Sequence, residues 1–66
     1  MGKIMSKKDM EFELRVAIKC IKECRKDHTD TRYFDGAART LVIILGLAEY
    51  REASSVVEDM VTKFVL

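Results

Sequence analysis

The sequence predicts an all-α fold, with three helices in one small domain and a long first helix packed on an antiparallel helical hairpin. The chain contains no proline and only three glycines, so few residues in it interrupt a helix. Its apolar residues recur at three- and four-residue spacing, which is the period of a helix buried along one face. The β-branched run Val42–Ile44 could form a buried strand, but no second strand exists for it to pair with. We therefore predict that this run is helical too.

Length and composition limit what the chain can do alone. Its 66 residues, 48% apolar and 35% charged, predict one ordered domain over residues 1–66, with a loose N-terminal tail over residues 1–5. A chain of this size buries only about 60% of the surface that its unfolded form exposes, so it is marginally stable as a monomer. Small domains commonly gain stability from disulfides, a metal or a partner subunit.

Charge and hydropathy indicate a cytoplasmic protein. The formal net charge of +1 creates no strong field that would draw the chain to nucleic acid or to a membrane. The first ten residues contain three lysines and no apolar core, which argues against a secretory signal. No apolar run approaches the length of a transmembrane helix, so we expect no membrane partner.

The first helix is predicted to begin at the capping-box sequence Ser6–Asp9 and to end near Asp27. Acidic residues in its first turns and basic residues in its last complement the helix dipole. Its apolar residues form two neighbouring stripes. The first stripe consists of Met10, Leu14, Ala17, Ile21 and Cys24, and the second consists of Phe12, Val16 and Cys20. Because one neighbouring helix cannot cover both stripes, we expect two packing partners, one of them from another chain.

The second helix is predicted from about Arg32 to Leu45, with Asp30 or Thr31 as its N-cap. Its apolar stripe keeps the same phase on both sides of Gly36, which favours one continuous helix. An alternative interpretation treats Asp35 and Gly36 as a turn and begins the helix after them.

The third helix is predicted to begin near Glu49 and to continue almost to the end of the chain. Gly46 is predicted to end the second helix, because glycine adopts positive φ freely at that position. The apolar face of the third helix consists of Ala53, Val56, Val57, Met60, Val61 and Phe64. The segment Leu45–Ala53 resembles the turn of a tetratricopeptide-type helical hairpin. This resemblance covers less than one repeat, and it implies an antiparallel helix pair and no ligand.

The sequence favours a non-enzymatic protein-interaction module that forms a homo-oligomeric helical bundle and also binds another protein. It contains one histidine, no glycine-rich phosphate loop and no activated nucleophile, so we expect neither catalysis nor a cofactor. The candidate interface residues are Phe12, Val16, Tyr33, Phe34, Leu41 and Ile44. In size and composition the chain is similar to small accessory and inhibitor proteins of phages and mobile elements, which act by binding a protein surface.

Two alternatives remain open at this point. One face of the first helix carries four basic residues that could bind the phosphates of a nucleic acid, namely Arg15, Lys19, Lys22 and Lys26. A helix face that is simply exposed to water would show the same pattern. Cys24 and His28, with Cys20, could hold a metal between chains. However, the helical rise separates Cys20 from His28 by about 12 Å, which is too far for one tetrahedral ion. The cysteines are therefore predicted to be small packing residues and no metal site is expected.

Overall fold

The computed structural model describes residues 6–63, which form three helices packed together and contain no strand. The helices are α1 (Lys7–Asp27), α2 (Arg32–Ile44) and α3 (Ala53–Lys63). This architecture confirms the all-α prediction, and the run Val42–Ile44 is helical as expected. The predicted N-terminal tail over residues 1–5, and Phe64 on the predicted face of the third helix, lie outside the described residues.

Local hydrogen bonds fix both ends of α1. The Ser6 hydroxyl accepts from the Asp9 N–H at 3.1 Å, and the Ser6 N–H donates to the Asp9 carboxylate at 3.4 Å, which completes the predicted capping box. At the other end His28 has a left-handed φ of 59°. The His28 N–H donates to the Arg25 carbonyl at 3.3 Å, and the next N–H donates to the Cys24 carbonyl at 2.8 Å. These two bonds are the pattern of a Schellman ending, with histidine where glycine is usual.

The second helix is continuous through Gly36, which confirms the preferred interpretation. At its start the Asp30 carboxylate accepts from the Arg32 N–H at 2.9 Å, whereas Thr31, the N-cap residue, makes no side-chain capping bond. At its end Gly46 has a φ of 74°, as predicted.

The chain leaves α2 through a second Schellman ending. The Leu47 N–H donates to the Val42 carbonyl at 2.9 Å, and the Gly46 N–H donates to the Ile43 carbonyl at 3.0 Å. Carbonyl groups at the end of α2 that would otherwise lack a partner within the helix are thereby satisfied. The turn redirects the chain toward α3.

The start of α3 was predicted wrongly, because the helix begins at Ala53 and not near Glu49. The residues before it form a turn in which the Glu52 N–H donates to the Glu49 carbonyl at 2.9 Å. A helix beginning at Glu49 would place Tyr50 on the same face as Ala53, but Tyr50 is 87% exposed and Ala53 is buried. The connection between α2 and α3, residues 45–52, is therefore longer than the predicted start near Glu49 implied.

The core lies where the three helices meet, and all its buried side chains are apolar. It consists of Leu14, Ala17, Ile18 and Ile21 from α1, Ala38 and Val42 from α2, and Ala53, Val57 and Val61 from α3. Ile18 lies outside the two predicted apolar stripes of the first helix, but only 3% of its surface is exposed, because it packs in the core with side chains of α2 and α3. The side of α1 that remains open is the one that carries Phe12 and Val16.

Candidate functional site

The six residues predicted to form an interface separate into two groups. Phe12 and Val16 on α1 are 63% and 38% exposed, and Tyr33 and Ile44 on α2 are 78% and 58% exposed. The remaining two, Phe34 and Leu41, are only partly exposed and pack against the core. The structure therefore leaves four of the six available to a partner, while Phe34 and Leu41 also stabilise the fold.

Tyr33 is held in place by a residue of the second group. Its ring lies edge-to-face with that of Phe34, with ring centroids 5.2 Å apart. This geometry is a favourable one for an aromatic pair. Because Phe34 packs against the core, it orients an aromatic ring that is otherwise largely exposed to water.

Phe12, Val16 and Cys20 follow one another at intervals of one turn, and we call them the outer α1 face. Each residue of a helix advances by about 100°, so this stripe lies on the side of α1 away from Leu14 and Ile21 in the core. Cys20 is only partly exposed and its thiol is free. The outer α1 face is thus an apolar strip that the rest of the described chain leaves uncovered.

Charged side chains of opposite sign border the outer α1 face. At about 100° per residue, a basic row lies along one edge of this face, and an acidic row lies within and beside the stripe of Val16 and Cys20. All members of both rows are exposed: Lys8, Arg15, Lys19 and Lys26 in the basic row, and Asp9, Glu13 and Asp27 in the acidic row. Exposed acids, among them Glu23 between Phe12 and Val16 on the helical wheel, therefore interrupt the apolar strip, while the bases lie along one edge of it.

The basic stripe proposed for nucleic acid is not one free surface. Arg15, Lys19 and Lys26 are exposed, but Lys22 is half-buried and its ammonium donates to the Val61 carbonyl at 3.3 Å. This carbonyl belongs to the last described turn of α3. A cation there also interacts favourably with the negative end of the helix dipole. Lys22 therefore stabilises the end of α3 as well as contributing charge.

A second contact between α1 and α3 is the ion pair of Arg25 with Glu58. The guanidinium donates two hydrogen bonds to the carboxylate, at 2.7 and 2.6 Å. These bonds hold the pKa of the Glu58 carboxyl below its usual range. Because the two side chains are 44% and 57% exposed, water screens much of the attraction between them.

An open groove of about 650 Å³ runs along the junction of α1 and α3. Its apolar floor consists of Leu14, Ile18, Leu45, Leu47, Val56 and Met60, and its charged rim of Glu11, Arg15, Asp59 and Lys63. The rim carries both signs of charge, and the ammonium of Lys63 lies 3.5 Å from the Asp59 carboxylate. An apolar floor with a mixed charged rim suits an apolar peptide segment better than a small polar substrate.

Sequence reasoning missed this groove because three separate elements build it. Leu47, which follows the glycine that ends α2, is 53% exposed and lines the groove. Met60, on the predicted apolar face of the third helix, packs against the core and also lines the groove. One feature of the sequence could have indicated the groove. The apolar run around Leu45 and Leu47 contains more apolar side chains than so small a core can bury.

The cysteines and the histidine do not come together as a metal site. Cys20 and Cys24 carry free thiols and are half-buried, while His28 is exposed at the end of α1. Among residues 6–63, no three histidine, cysteine or acidic side chains cluster closely enough to hold a metal ion.

Among the described residues, the buried side chains are apolar and the charged side chains lie at or near the surface. Among these residues, no helix combines the length and the apolar character that crossing a bilayer requires. In comparisons with known proteins, the chain matches no protein-family model, no curated protein and no solved structure.

Proposed function

We propose that this chain is a non-enzymatic protein-interaction module that acts by occupying the surface of another protein chain. The observation that carries the proposal is the exposure of large apolar side chains on packed helices, above all Phe12 and Val16 on α1. Isolated exposed apolar residues are ordinary, but neighbouring ones bordered by charge are characteristic of interaction sites. Burying them against a partner would contribute about 25 cal/mol for each Å² removed from water.

The groove between α1 and α3 supports the same function. Grooves with an apolar floor bind amphipathic segments, whose apolar side chains enter the floor while their polar edges meet the rim. Here the floor includes Leu47, which is 53% exposed, so an apolar anchor could reach it directly. The groove therefore offers a second binding surface, separate from the outer α1 face.

A module of this kind fits the role of a small accessory or inhibitor protein, as in phages and mobile elements. Inhibition by occupying a surface requires shape and apolar contact, and it requires no catalytic residues in the inhibitor. The fold supplies rigid helices for this purpose. The backbones of α1 and α2 are held by the core, so little backbone order has to be gained when their exposed side chains bind.

The experiment is a binding measurement with matched variants. The chain would be immobilised, its partner captured from extracts of the source cells, and the purified partner titrated by calorimetry. We expect Phe12→Glu and Ile44→Glu to weaken binding about tenfold or more, which corresponds to about 1.4 kcal/mol. Tyr50→Glu is the matched control, because Tyr50 is 87% exposed and lies outside both helices. Unchanged affinity in both helix variants, with both still folded, would contradict the proposal.

The second candidate function is nucleic-acid binding through the exposed bases of α1. The observation in its favour is that Arg15, Lys19 and Lys26 are exposed along one flank. Duplex binding through such residues predicts a log–log salt slope of about −0.9 for each phosphate neutralised. Lys19→Glu combined with Lys26→Glu would then abolish binding. Tight, salt-sensitive binding that this double variant eliminates would favour this function over the first.

A further inference from the structure

We propose that the basic edge of α1, formed by Phe12 and the basic row beside it, binds an acidic amphipathic helix of another protein. This inference rests on the proposed function and deepens it, because it names the chemistry of the partner. The partner helix would lie along α1, place an apolar side chain on Phe12 and direct its carboxylates at the bases of the row.

The basic row is a compact line of positive charge. At about 100° per residue, its members fall within about 40° of the circumference of α1, and they extend along about 27 Å of the helix axis. All four members are exposed, namely Lys8, Arg15, Lys19 and Lys26. No acidic residue of α1 falls within this sector, so acids do not interrupt the line.

The bases of the row have no partner of opposite charge within the described chain. Elsewhere in residues 6–63, Arg25, Arg32 and Lys63 each form an ion pair with a carboxylate. Within the same residues, no ion pair and no hydrogen bond engages a side chain of the row. Four exposed cations without a carboxylate are the electrostatic complement of an acidic surface.

Phe12 gives the same surface an apolar anchor. Its side chain is 63% exposed, and on α1 Lys8 lies one turn before it and Arg15 one turn after it. Lys19 lies about 20° from Phe12 in rotation about the helix axis, two turns further along. An aromatic ring beside a line of charge suits an interface in which the ring provides affinity and the charges select the partner.

The acids that border the row favour a narrow partner over a nucleic-acid duplex. Glu11 lies about 40° beyond one edge of the row, and Glu23 lies about 40° beyond the other. A duplex carries phosphates on both strands, so it would bring negative charge toward these acids as well as toward the bases. A protein helix can confine its carboxylates to one edge. The formal net charge of only +1 favours the same choice.

The intervals within the row suit a helical partner. Its members follow one another at intervals of seven, four and seven residues, at which a helix repeats one face. Two helices packed nearly side by side have the same pitch, so glutamates at these intervals in the partner would lie opposite successive bases. Exposed pairs of this kind set partner choice but add little affinity. We therefore expect selective binding of modest affinity, which added salt weakens.

Calorimetric titration with a designed peptide tests this inference. The probe is a synthetic helical peptide with leucines at three- and four-residue spacing and glutamates at the flanking positions. The matched control peptide has lysine in place of every glutamate. We expect the acidic peptide to bind at least about tenfold more tightly than the basic one, and its affinity should fall as salt is added.

Substitutions in the chain identify the surface that binds the peptide. Lys19→Glu combined with Lys26→Glu should weaken binding of the acidic peptide about tenfold or more, and Phe12→Ala should weaken it at every salt concentration. The matched control is Lys7→Glu combined with Arg51→Glu, which changes the net charge equally at exposed residues outside the row. Circular dichroism of each variant would establish that it remains folded.

Three results would overturn the inference. One is equal affinity for the two peptides, or an equal loss in the double reversal and in its control. Another is tighter binding of an oligonucleotide by the same bases, which would make nucleic acid the occupant. The third is a mass above 7.6 kDa without peptide that the double reversal returns to 7.6 kDa, since a second copy would then occupy the surface. The proposed function would still stand if Phe12→Glu weakened binding to a captured partner, so the two failures are distinguishable.

Discussion

At the scale of single residues, the two left-handed positions explain how a chain without proline ends its helices. His28 and Gly46 both have positive φ, and both are followed by the hydrogen bonds of a Schellman ending. At Gly46 the residue suits the conformation, whereas at His28 a side chain is held in a backbone region that disfavours it. The two helix ends are therefore built alike but differ in how well the residue fits.

This difference predicts that His28→Gly stabilises the protein. Relief of the left-handed backbone should exceed the added entropy of the unfolded chain, for a net gain of about 0.5–1 kcal/mol in the free energy of unfolding. Urea denaturation followed by circular dichroism would measure it. Lys26→Gly, two residues earlier and inside α1, is the control and should instead destabilise by roughly 0.5–1 kcal/mol, because lysine is a good helix former and glycine a poor one. A loss of stability in the first variant would show that the His28 side chain contributes more than its strain costs.

The same substitution at the two described glycines should have opposite effects. A Cβ added at Gly36 or at Gly46 would meet no atom within 4 Å, so sterics distinguish neither position. Gly46→Ala would force an L residue to a φ of 74° and should cost about 1 kcal/mol. Gly36→Ala lies inside a regular helix and should stabilise by about 1 kcal/mol. Thermal unfolding of both variants provides the comparison, and shifts of the same sign would contradict this account.

At the scale of helices, the sequence predicted those boundaries that depend on neighbouring residues. The capping box at Ser6, the end of α2 at Gly46 and the continuity of α2 could all be read locally, because each depends on residues within about one turn. The start of α3 could not be read in this way. The periodic pattern permits a helix from Glu49, and only the packing of Ala53 against α1 and α2 decides where it begins.

The candidate site, like the helix boundaries, could be predicted from the sequence only where it depends on the spacing of residues within one helix. The helical period identified Phe12 and Val16 as a stripe separate from the main one, and the structure leaves them exposed. It could not separate Tyr33, which is exposed, from Phe34, which packs on the core, because that distinction depends on where the neighbouring helices lie. For the same reason the double role of Lys22 at the end of α3 could not be seen in the sequence.

The contact between α1 and α3 predicts a pH dependence. Arg25 holds the pKa of the Glu58 carboxyl below its usual value of 4.5 in the folded state. The resulting stabilisation is therefore fully present above about pH 4.5 and is lost as the pH falls through the lower, folded-state pKa. For an exposed pair it amounts to about 0.2–1 kcal/mol.

Glu58→Gln tests this dependence. At neutral pH the variant should be less stable than the unmodified chain by about 0.2–1 kcal/mol, and the difference should disappear in acid. Urea unfolding at a series of pH values gives the comparison, with Glu49→Gln as an exposed control outside the helices. A difference that persists at low pH would mean that Glu58 stabilises the fold through packing and not through its charge.

At the scale of the whole molecule, the small core leaves little margin. A domain of this length is expected to be stable by about 3–10 kcal/mol, at roughly 0.05–0.15 kcal/mol for each residue. The largest fully buried side chains are Ile21, Val42 and Val57, one from each helix, and none is aromatic. Each helix thus contributes one fully buried branched side chain to the core, while the aromatic rings of Phe12 and Tyr33 remain at the surface.

This distribution predicts that truncating the core has a much larger effect than truncating the surface. Ile21→Ala should cost about 2–5 kcal/mol, which is a large part of the total stability. The midpoint of urea or thermal unfolding should therefore fall markedly. Ile43→Ala removes the same atoms from a side chain that is 37% exposed, and it should cost clearly less. If α1 binds the acidic peptide, adding that peptide should restore part of the Ile21→Ala stability, because a ligand that binds only the folded state shifts the equilibrium toward it. Equal losses in the two variants would contradict the packing described here, since Ile21 is fully buried where the helices meet and Ile43 is not.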